Sequence, residues 1–310
     1  MITLIHVRNF ISIFAPPNKT RLKTDKSIKG DIRNSGEKEK DMTFWDHLDV
    51  LRGSVIRSVI AVFVCGITAF IFKKIIFDYV ILAPKNNDFI TYRILCKLGK
   101  MLSTDSFCFD TSSINLININ LAGQFMSHMM ISLIAGLIVA SPYVVWELWR
   151  FIKPGLTENE KKNTRGAVLI ISMLFITGVL FSYYIVVPLM INFLGNYQVS
   201  EAVVNQISLT SYTGSVTTMT LIMGLIFEFP IVVIFLTKIG ILSPSVLKKY
   251  RKHTFVIILI TSGLITPSPD VFSQLIVSIP LYALYEISLS ISARMYRKRE
   301  ELEKLEDLAG

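Results

Sequence analysis

Long apolar segments dominate this chain and restrict what it can fold into. Several of them exceed the ~18–20 residues that an α-helix needs to cross a hydrocarbon core about 30 Å thick. The 310 residues are 52% hydrophobic and only 18% charged, with a mean hydropathy of +0.53. A soluble domain of this size needs no such excess of apolar residues. The sequence therefore predicts an all-α integral membrane protein.

Hydropathy predicts six membrane spans, of which the last two are short. The four long spans are Val55–Phe77, Leu121–Leu148, Ala167–Pro188 and Tyr212–Thr237. The short segments, His253–Ile265 and Val271–Ser290, are separated by a proline-rich break. The pair forms either a re-entrant hairpin or two short helices in a thinned bilayer. We predict two short spans, because the charges on both sides then agree.

Positive charges are concentrated in alternate connections between these spans. Lys and Arg cluster near the start of the first span, between the second and third, between the fourth and fifth, and after the sixth, whereas residues 189–211 and 266–270 contain neither. Because cytoplasmic loops carry the excess of Lys and Arg, both termini are predicted to be cytoplasmic. The long outer loop, roughly 78–120, departs from this rule but carries balancing acids. The net charge of +9 therefore reflects membrane topology and does not indicate nucleic-acid binding.

The first 41 residues differ in composition from the rest. Residues 18–41 are rich in Lys, Asp, Glu and Ser, which is typical of disorder. The apolar stretch before them is short and lacks a small-residue cleavage site, so it does not resemble a signal peptide. We expect an extension at 1–41, a membrane domain at 42–299 and a cytoplasmic tail at 300–310, with Met42 as the biological start.

Sequence motifs for catalysis are absent. There is no Gly-rich phosphate loop, no zinc-protease motif and no nucleophile elbow, and the histidines lie in separate segments. We therefore predict no catalytic, metal or cofactor site. Cys65 lies in the first span, whereas Cys96 and Cys108 lie in the outer loop, where a disulfide is chemically allowed. Sequence separation does not decide whether Cys96 and Cys108 pair.

One acid, Glu228, lies deep in the fourth span. Placing a carboxylate there costs about 2.5–3.5 kcal/mol on insertion scales, so such residues face protein or a water-filled cavity. Glu228 is either protonated and hydrogen-bonded to a neighbouring helix or the polar floor of a concave cavity. Pro230 is expected to kink the helix beside it. A proton-coupled secondary transporter of a small solute would also use such an acid, but would need a second acid or a cation at similar depth.

Further acids lie near the cytoplasmic surface. Asp49 and Arg52 are spaced i,i+3 and could simply pair on one helix face. Glu158 and Glu160 follow a Pro-Gly break after the second span, where one of these acids can cap the next helix. Alternatively, Asp49 and Glu160 converge into an anionic site for a ligand with two guanidinium groups. Such a site would prefer Arg-Arg to Lys-Lys, because the planar guanidinium matches a carboxylate as a fork.

A series of motifs runs in order from Met42 to about Arg299. They are Phe44-Trp45-Asp46-His47-Leu48 followed by Asp49-Val50-Leu51-Arg52, Ser141-Pro142-Tyr143 with Trp146, Phe151-Ile152-Lys153-Pro154-Gly155-Leu156, Glu160-Lys161, Phe227-Glu228-Phe229-Pro230, Thr266-Pro267-Ser268-Pro269-Asp270 with Gln274, and Tyr285-Glu286. Each motif is weak alone, but together and in this order they resemble the TatC family, the multispanning receptors of the twin-arginine protein translocase.

The resemblance implies a glove-shaped, six-helix receptor with a concave face that is not an enzyme. It implies residence in the bacterial cytoplasmic (inner) membrane, oligomerisation within a complex, and export of folded proteins driven by the proton-motive force. Single-span TatA and TatB proteins, twin-arginine signal peptides and membrane lipid are the implied partners.

The resemblance also assigns roles to residues. The signal-peptide site implied by the motifs comprises Glu160 as the principal acid, Phe151, Pro154 and Leu156 shaping its pocket, and Asp49 and Arg52 on the N-terminal segment. Glu228 matches the family's intramembrane polar residue. Pro267, Asp270 and Gln274 match the region that contacts TatA and TatB.

One departure from the family pattern affects the second carboxylate of this site. The family commonly has an acid directly before Leu-Arg in its N-terminal segment, but here Val50 stands there and Asp49 precedes it. A shift of one residue turns a helical side chain by about 100°. The sequence therefore leaves open whether Asp49 replaces the family's acid.

Overall fold

The computed structural model describes residues 44–101, 115–152, 164–200, 205–266 and 271–307. The predicted extension 1–41 and several predicted site residues lie outside these ranges, namely Cys108, Pro154, Leu156, Glu160, Pro267 and Asp270. The statements that follow concern the described residues.

The described chain is helical apart from one small strand pair. The helices are α1 (Phe44–Ile71), α2 (Ile90–Met101), α3 (Gly123–Ile152), α4 (Thr164–Phe181), α5 (Val187–Asn196), α6 (Leu209–Phe227), α7 (Phe229–Lys238), α8 (Pro244–Lys249), α9 (Arg251–Ile265) and α10 (Val271–Asp307). Two π-helical turns, Ile75–Ile81 and Ser182–Val186, and a short 3-10 turn, Ala83–Lys85, connect them. Strands β1 (Leu116–Ile117) and β2 (Ile207–Ser208) pair in parallel.

Five helical segments are long and apolar enough to cross a membrane. They are the first span Leu48–Ile71, the second span Gly123–Ile152, the third span Gly166–Asn196, the fourth span Leu209–Thr237 and the last span Ser273–Arg297. The third runs from α4 through a π-helical turn into α5, and the fourth combines α6 and α7. These segments match the four long predicted spans and the last one.

The two segments predicted to be short differ from each other. Helix α9 has 15 residues, which at 1.5 Å per residue is about 22 Å long and shorter than a usual span. Helix α10, in contrast, has 37 residues and holds a 25-residue apolar segment. The prediction that the last span is short was wrong, because its apolar segment continues past Ser290 to Arg297.

The first span also differs from its predicted bounds, Val55–Phe77. The helix begins earlier, by Phe44, and is interrupted by a turn at Phe72. Lys73 and Lys74 therefore lie beyond the end of the apolar helix instead of inside it. Their position at the membrane boundary is consistent with the high cost of burying an ammonium group in lipid.

Small residues bring neighbouring spans into backbone contact. A Cβ atom on Gly136 of α3 would lie 2.6 Å from the Cα atom of Gly66 in α1. Similarly, a Cβ atom on Gly178 of α4 would lie 2.7 Å from the backbone oxygen of Met223 in α6. Such close approaches hold membrane helices together, because lipid provides little hydrophobic driving force between them.

Buried hydroxyl groups link further helices. Thr213 Oγ1 lies 3.1 Å from Ser127 Oγ, and Thr237 Oγ1 lies 2.9 Å from Ser292 Oγ. These contacts join the fourth span to the second and last spans respectively. The fourth span is consequently the central element against which the second, third and last spans pack.

The segment after the first span is a folded cap. The Tyr212 hydroxyl donates to the Ile81 carbonyl at 2.9 Å, and the Tyr92 hydroxyl lies 3.0 Å from the carbonyl oxygens of Pro84 and Pro188. Burial raises the pKa of Tyr92, so this phenol stays neutral and keeps its hydrogen bond.

Two of the three cysteines, Cys65 and Cys96, lie within the described residues. Cys96 in α2 is disulfide-bonded, and Cys65 is a free thiol. Because Cys108 lies outside the described residues, the bridge between Cys96 and Cys108 stays a prediction.

Candidate functional site

The start of α1 carries two of the predicted site residues. Asp49 and Arg52 are both exposed, and within the described residues they do not form the i,i+3 ion pair that their spacing allows. Among the residues that the structure describes, Asp49 therefore has no cationic partner at this end of α1. Its side chain is available for a cationic ligand, which the alternative of a local pair would have prevented.

A buried ion pair fastens this part of α1 to α3. Arg57 Nε lies 3.1 Å from Glu147 Oε1, and Arg57 Nη2 lies 3.1 Å from Glu147 Oε2. The guanidinium therefore binds the carboxylate in a bidentate arrangement. The Glu147 side chain is only 1% exposed, whereas that of Arg57 is 44% exposed. A charged group buried this deeply is tolerated because its partner and further hydrogen bonds replace water.

Other donors complete the surroundings of Glu147. The Tyr143 hydroxyl donates to Glu147 Oε1 at 3.2 Å, and Arg150 Nη1 approaches the same oxygen at 3.9 Å. Arg57 in turn donates to Ser54 Oγ at 3.3 Å. The carboxylate is thus fully satisfied by the protein, so its role is to hold α1 and α3 in one relative position.

The end of α3 leads directly to the predicted acidic loop. Phe151 is half-buried in the last turn of α3, four residues after Glu147. Pro154, Leu156 and Glu160 follow it and lie outside the described residues. The Arg57–Glu147 pair therefore sets the distance between the α1 segment carrying Asp49 and the helix end from which the Glu160 loop departs.

Glu228 lies at a break in the fourth span. It separates α6 from α7, and its backbone N–H points back to the carbonyl of Leu225 at 3.1 Å. Pro230 follows in the first turn of α7, so the predicted interruption beside this proline is present. Counted from Thr237 at 1.5 Å per residue, Glu228 lies roughly 14 Å inside the end of the span.

The Glu228 carboxyl is buried beside α4. It lies near the backbone of Phe175 in α4, but within the described residues neither oxygen makes a hydrogen bond of ordinary geometry, and both oxygens are buried. The two alternatives for Glu228, a protonated carboxyl bonded to a neighbouring helix and the polar floor of a concave cavity, therefore both stay predictions. A buried and unsatisfied polar group costs about 1–3 kcal/mol, which marks Glu228 as a functional candidate.

The predicted partner-contact region has one described member, Gln274. Its side-chain Nε2 donates to the Leu259 carbonyl at 2.8 Å and so joins α10 to α9. At the first residue of α9, Arg251 Nε lies 2.6 Å from Glu286 Oε1 and 3.2 Å from the Tyr282 hydroxyl. The contact between Arg251 and Glu286 is an ion pair by distance rather than a well-directed hydrogen bond. These contacts fix the short α9 helix on the last span.

Sequence reasoning missed the most strongly bonded polar group of the site. It treated Arg57 as one of the topology-setting charges and did not consider Glu147 at all. The available signal was Arg57 within the first apolar segment and Glu147 as the one acid of the second, because charges inside spans usually pair with each other. Among the described residues no cluster of His, Cys, Asp or Glu is arranged to hold a metal ion.

Comparison with known proteins gives a consistent result. The family described as "Sec-independent protein translocase protein (TatC)" matches residues 46–280. The chain belongs to the TatC family. The matched range contains all of the predicted site residues, from Asp49 to Gln274.

Individual relatives agree over nearly their whole length. The TatC protein of Blattabacterium sp. subsp. Periplaneta americana is 41% identical over 84% of this chain and 98% of its own. That of Halalkalibacterium halodurans is 30% identical over 86% of this chain and 95% of its own. Two solved structures of a twin-arginine translocase receptor TatC, one of them in DDM, are similar with TM-scores of 0.58 and 0.61. They are 30% and 31% identical and cover 81% and 79% of this chain and 99% of theirs.

The family places this chain among the components of the Sec-independent translocase in the inner membrane. This membership favours a role in protein transport and does not favour the proton-coupled transporter of small solutes. TatC similarity also agrees with the predicted all-helical membrane fold.

Proposed function

We propose that this chain is the receptor that binds twin-arginine signal peptides of folded proteins at the cytoplasmic face of the inner membrane. The observation that carries the proposal is the family match over residues 46–280, which includes the whole predicted site. The solved relatives named above are described as twin-arginine translocase receptors. Asp49, which is exposed and forms no ion pair within the described part of the chain, supports the same function.

The proposed site consists of acids presented by two fixed elements. Glu160 is the principal ligand of one arginine, and Asp49 takes the place of the family's N-terminal acid for the other. Phe151, Pro154 and Leu156 form the apolar wall beside them, and Arg52 limits the approach of further cations. Two carboxylates at the membrane surface prefer guanidinium to ammonium, because each guanidinium donates two parallel hydrogen bonds to one carboxylate.

The proposed topology has six spans with both termini in the cytoplasm and a concave, glove-like face. Helix α9 is the additional crossing, and its 15 residues require a locally thin bilayer. The region of Pro267, Asp270 and Gln274 is the proposed contact for TatA and TatB. The complex contains several copies of this chain, and the proton-motive force drives export.

Export by energised inner-membrane vesicles tests the proposal. A folded cargo with an Arg-Arg signal is exported by vesicles that contain this chain with its TatA and TatB partners, and the same cargo with Lys-Lys is not. Glu160→Gln is expected to reduce export at least tenfold, because it removes about one charge-assisted hydrogen bond to the signal peptide. Glu158→Gln, a matched change two residues away, is expected to leave it unchanged. Equal export of both cargoes would refute the receptor function.

A further inference from the structure

A cationic cavity lies at the end of the bundle opposite the candidate site. It has a volume of about 350 Å³ and is formed where α1 ends and α3 begins. Lys73, Lys74, Gln124 and His128 contribute polar groups to its lining, and Asp78 is the one acid among its lining residues. In the proposed topology this is the outer surface of the membrane.

The two lysines of this cavity have no acidic partner among the described residues. Lys73 and Lys74 are exposed, and within the described residues neither forms an ion pair, not even with Asp78. Two lysines therefore face a single aspartate. Outer loops usually carry few Lys and Arg, so an adjacent pair at this level is unexpected for topology alone.

His128 connects the cavity with the first span in a fixed orientation. Its ring is stacked on Phe70 with the centroids 3.9 Å apart and the planes 16° apart. Its Nε2 lies 3.1 Å from the Phe70 carbonyl oxygen and donates to it. The imidazole is held at the rim of the cavity.

An apolar groove continues from this cavity into the membrane. Its volume is about 640 Å³, and its walls come from the first and second spans. Phe125 lines both the cavity and the groove, so the two are continuous. Phe63, Ile67 and Met129 on its walls are each about half exposed. Much of the first span faces outward, with only 11% of its apolar segment buried.

We infer that this cavity and groove together bind one anionic phospholipid, with its phosphate at Lys73 and Lys74 and an acyl chain along the first and second spans. A soluble anion would use the charged cavity but gain nothing from the groove. An apolar partner helix would use the groove but leave both lysines unmatched. Only an amphiphile with a negative headgroup satisfies both parts, since lysines near a membrane surface attract anionic lipids.

The lipid would have a structural consequence. It would fill the seam between the first and second spans, beside the backbone contact of Gly66 and Gly136. It would also shield the two lysines from each other. Snorkelling lysines that merely reach the interface would favour anionic lipid but would not fix the position of an acyl chain.

Native mass spectrometry of the delipidated full-length protein tests this inference. Dioleoyl phosphatidylglycerol is expected to bind about 10- to 30-fold more tightly than dioleoyl phosphatidylcholine, in keeping with two lysines at an anionic surface. The double change Lys73→Gln and Lys74→Gln should abolish this preference. The control changes Lys248→Gln and Lys249→Gln remove an equally exposed adjacent pair at the opposite end and should preserve it.

A second measurement uses the unaltered protein and does not depend on the folding of a variant. Phosphatidylglycerol with a photoreactive diazirine in its acyl chain is expected to crosslink to residues 125–133, and inorganic phosphate at millimolar concentration should not prevent this. Equal affinity for the two lipids would overturn the inference, as would crosslinks spread over all spans. Complete displacement by inorganic phosphate would also overturn it and would indicate a site for free anions.

Discussion

At the scale of single residues, the pairing of Arg57 with Glu147 is the contact with the largest expected effect. Removing Arg57 would leave a carboxylate that is 1% exposed without its main partner. Arg57→Ala should therefore lower the free energy of unfolding by about 3 kcal/mol, the low end for breaking a buried pair, because Arg57 itself is partly solvated. Unfolding in mixed detergent micelles measures this change.

The exposed pair of Arg93 and Asp88 offers the matched control. Their closest atoms are 3.6 Å apart and both side chains are largely exposed. Arg93→Ala should therefore change the free energy of unfolding by less than about 1 kcal/mol. An equal loss from Arg57→Ala and Arg93→Ala would contradict the interpretation of Glu147 as a buried anchor.

Glu228 is expected to behave in the opposite way. Because neither carboxyl oxygen has a partner among the described residues, Glu228→Leu should raise the free energy of unfolding by about 1 kcal/mol or leave it unchanged. The same change should reduce export if the carboxyl serves transport. A clear loss of stability would instead mean that the carboxyl is bonded within the fold.

The sequence could not predict these two environments. Arg57 and Glu147 are 90 residues apart, and only the packing of α1 on α3 brings them together. Glu228 was recognised as unusual from its depth alone, but its lack of a partner depends on which groups the neighbouring helices place beside it. The spacing of Asp49 and Arg52 allows an ion pair on one helix face. In the structure both side chains are exposed and they do not form that pair with each other.

At the scale of helices, the contact of α1 with α3 depends on Gly136. A methyl group there would lie within 2.6 Å of Gly66 backbone atoms, so the two helices would have to separate. Gly136→Ala should lower the free energy of unfolding by about 1–3 kcal/mol through overpacking. Thermal unfolding in detergent would show this as a lower midpoint.

Gly214 in α6 provides the control for this prediction. A Cβ atom there meets no other atom within 4 Å, and alanine is the better helix former by up to about 1 kcal/mol. Gly214→Ala should therefore be neutral or stabilising. If both glycine changes lowered the midpoint equally, the close approach at Gly136 would not be the cause.

Hydropathy located the spans well but not their ends. It detects the cost of placing residues in lipid, so it found the apolar centre of each long helix. It does not detect helix beyond the membrane. It therefore placed the end of the last segment at Ser290, whereas α10 extends to Asp307. It also included Lys73 and Lys74 in the first span, because the apolar residues on both sides outweighed the two charges.

At the scale of the whole molecule, the topology depends on whether α9 crosses the membrane. If α9 crosses the membrane, the chain has six spans and both termini lie on the same side. A cysteine introduced at Lys304 of α10, in a Cys65→Ser background, should then react with a membrane-impermeant maleimide only after cells are permeabilised. A cysteine at Leu121, which is fully exposed before α3, should react in intact cells.

Reaction at position 304 in intact cells would refute the six-span topology. It would be consistent with five crossings and termini on opposite sides. Because α9 is about 22 Å long, this result would place it along the membrane surface or in a re-entrant segment.

The most direct test of the receptor function is the binding of a signal peptide to the purified protein. A fluorescent peptide with Arg-Arg should bind at least tenfold more tightly than its Lys-Lys counterpart, which lacks the paired guanidinium hydrogen bonds. Glu160→Ala should abolish this preference, and Glu158→Ala should retain it. Equal binding of the two peptides, or a preference that survives Glu160→Ala, would contradict the proposed site.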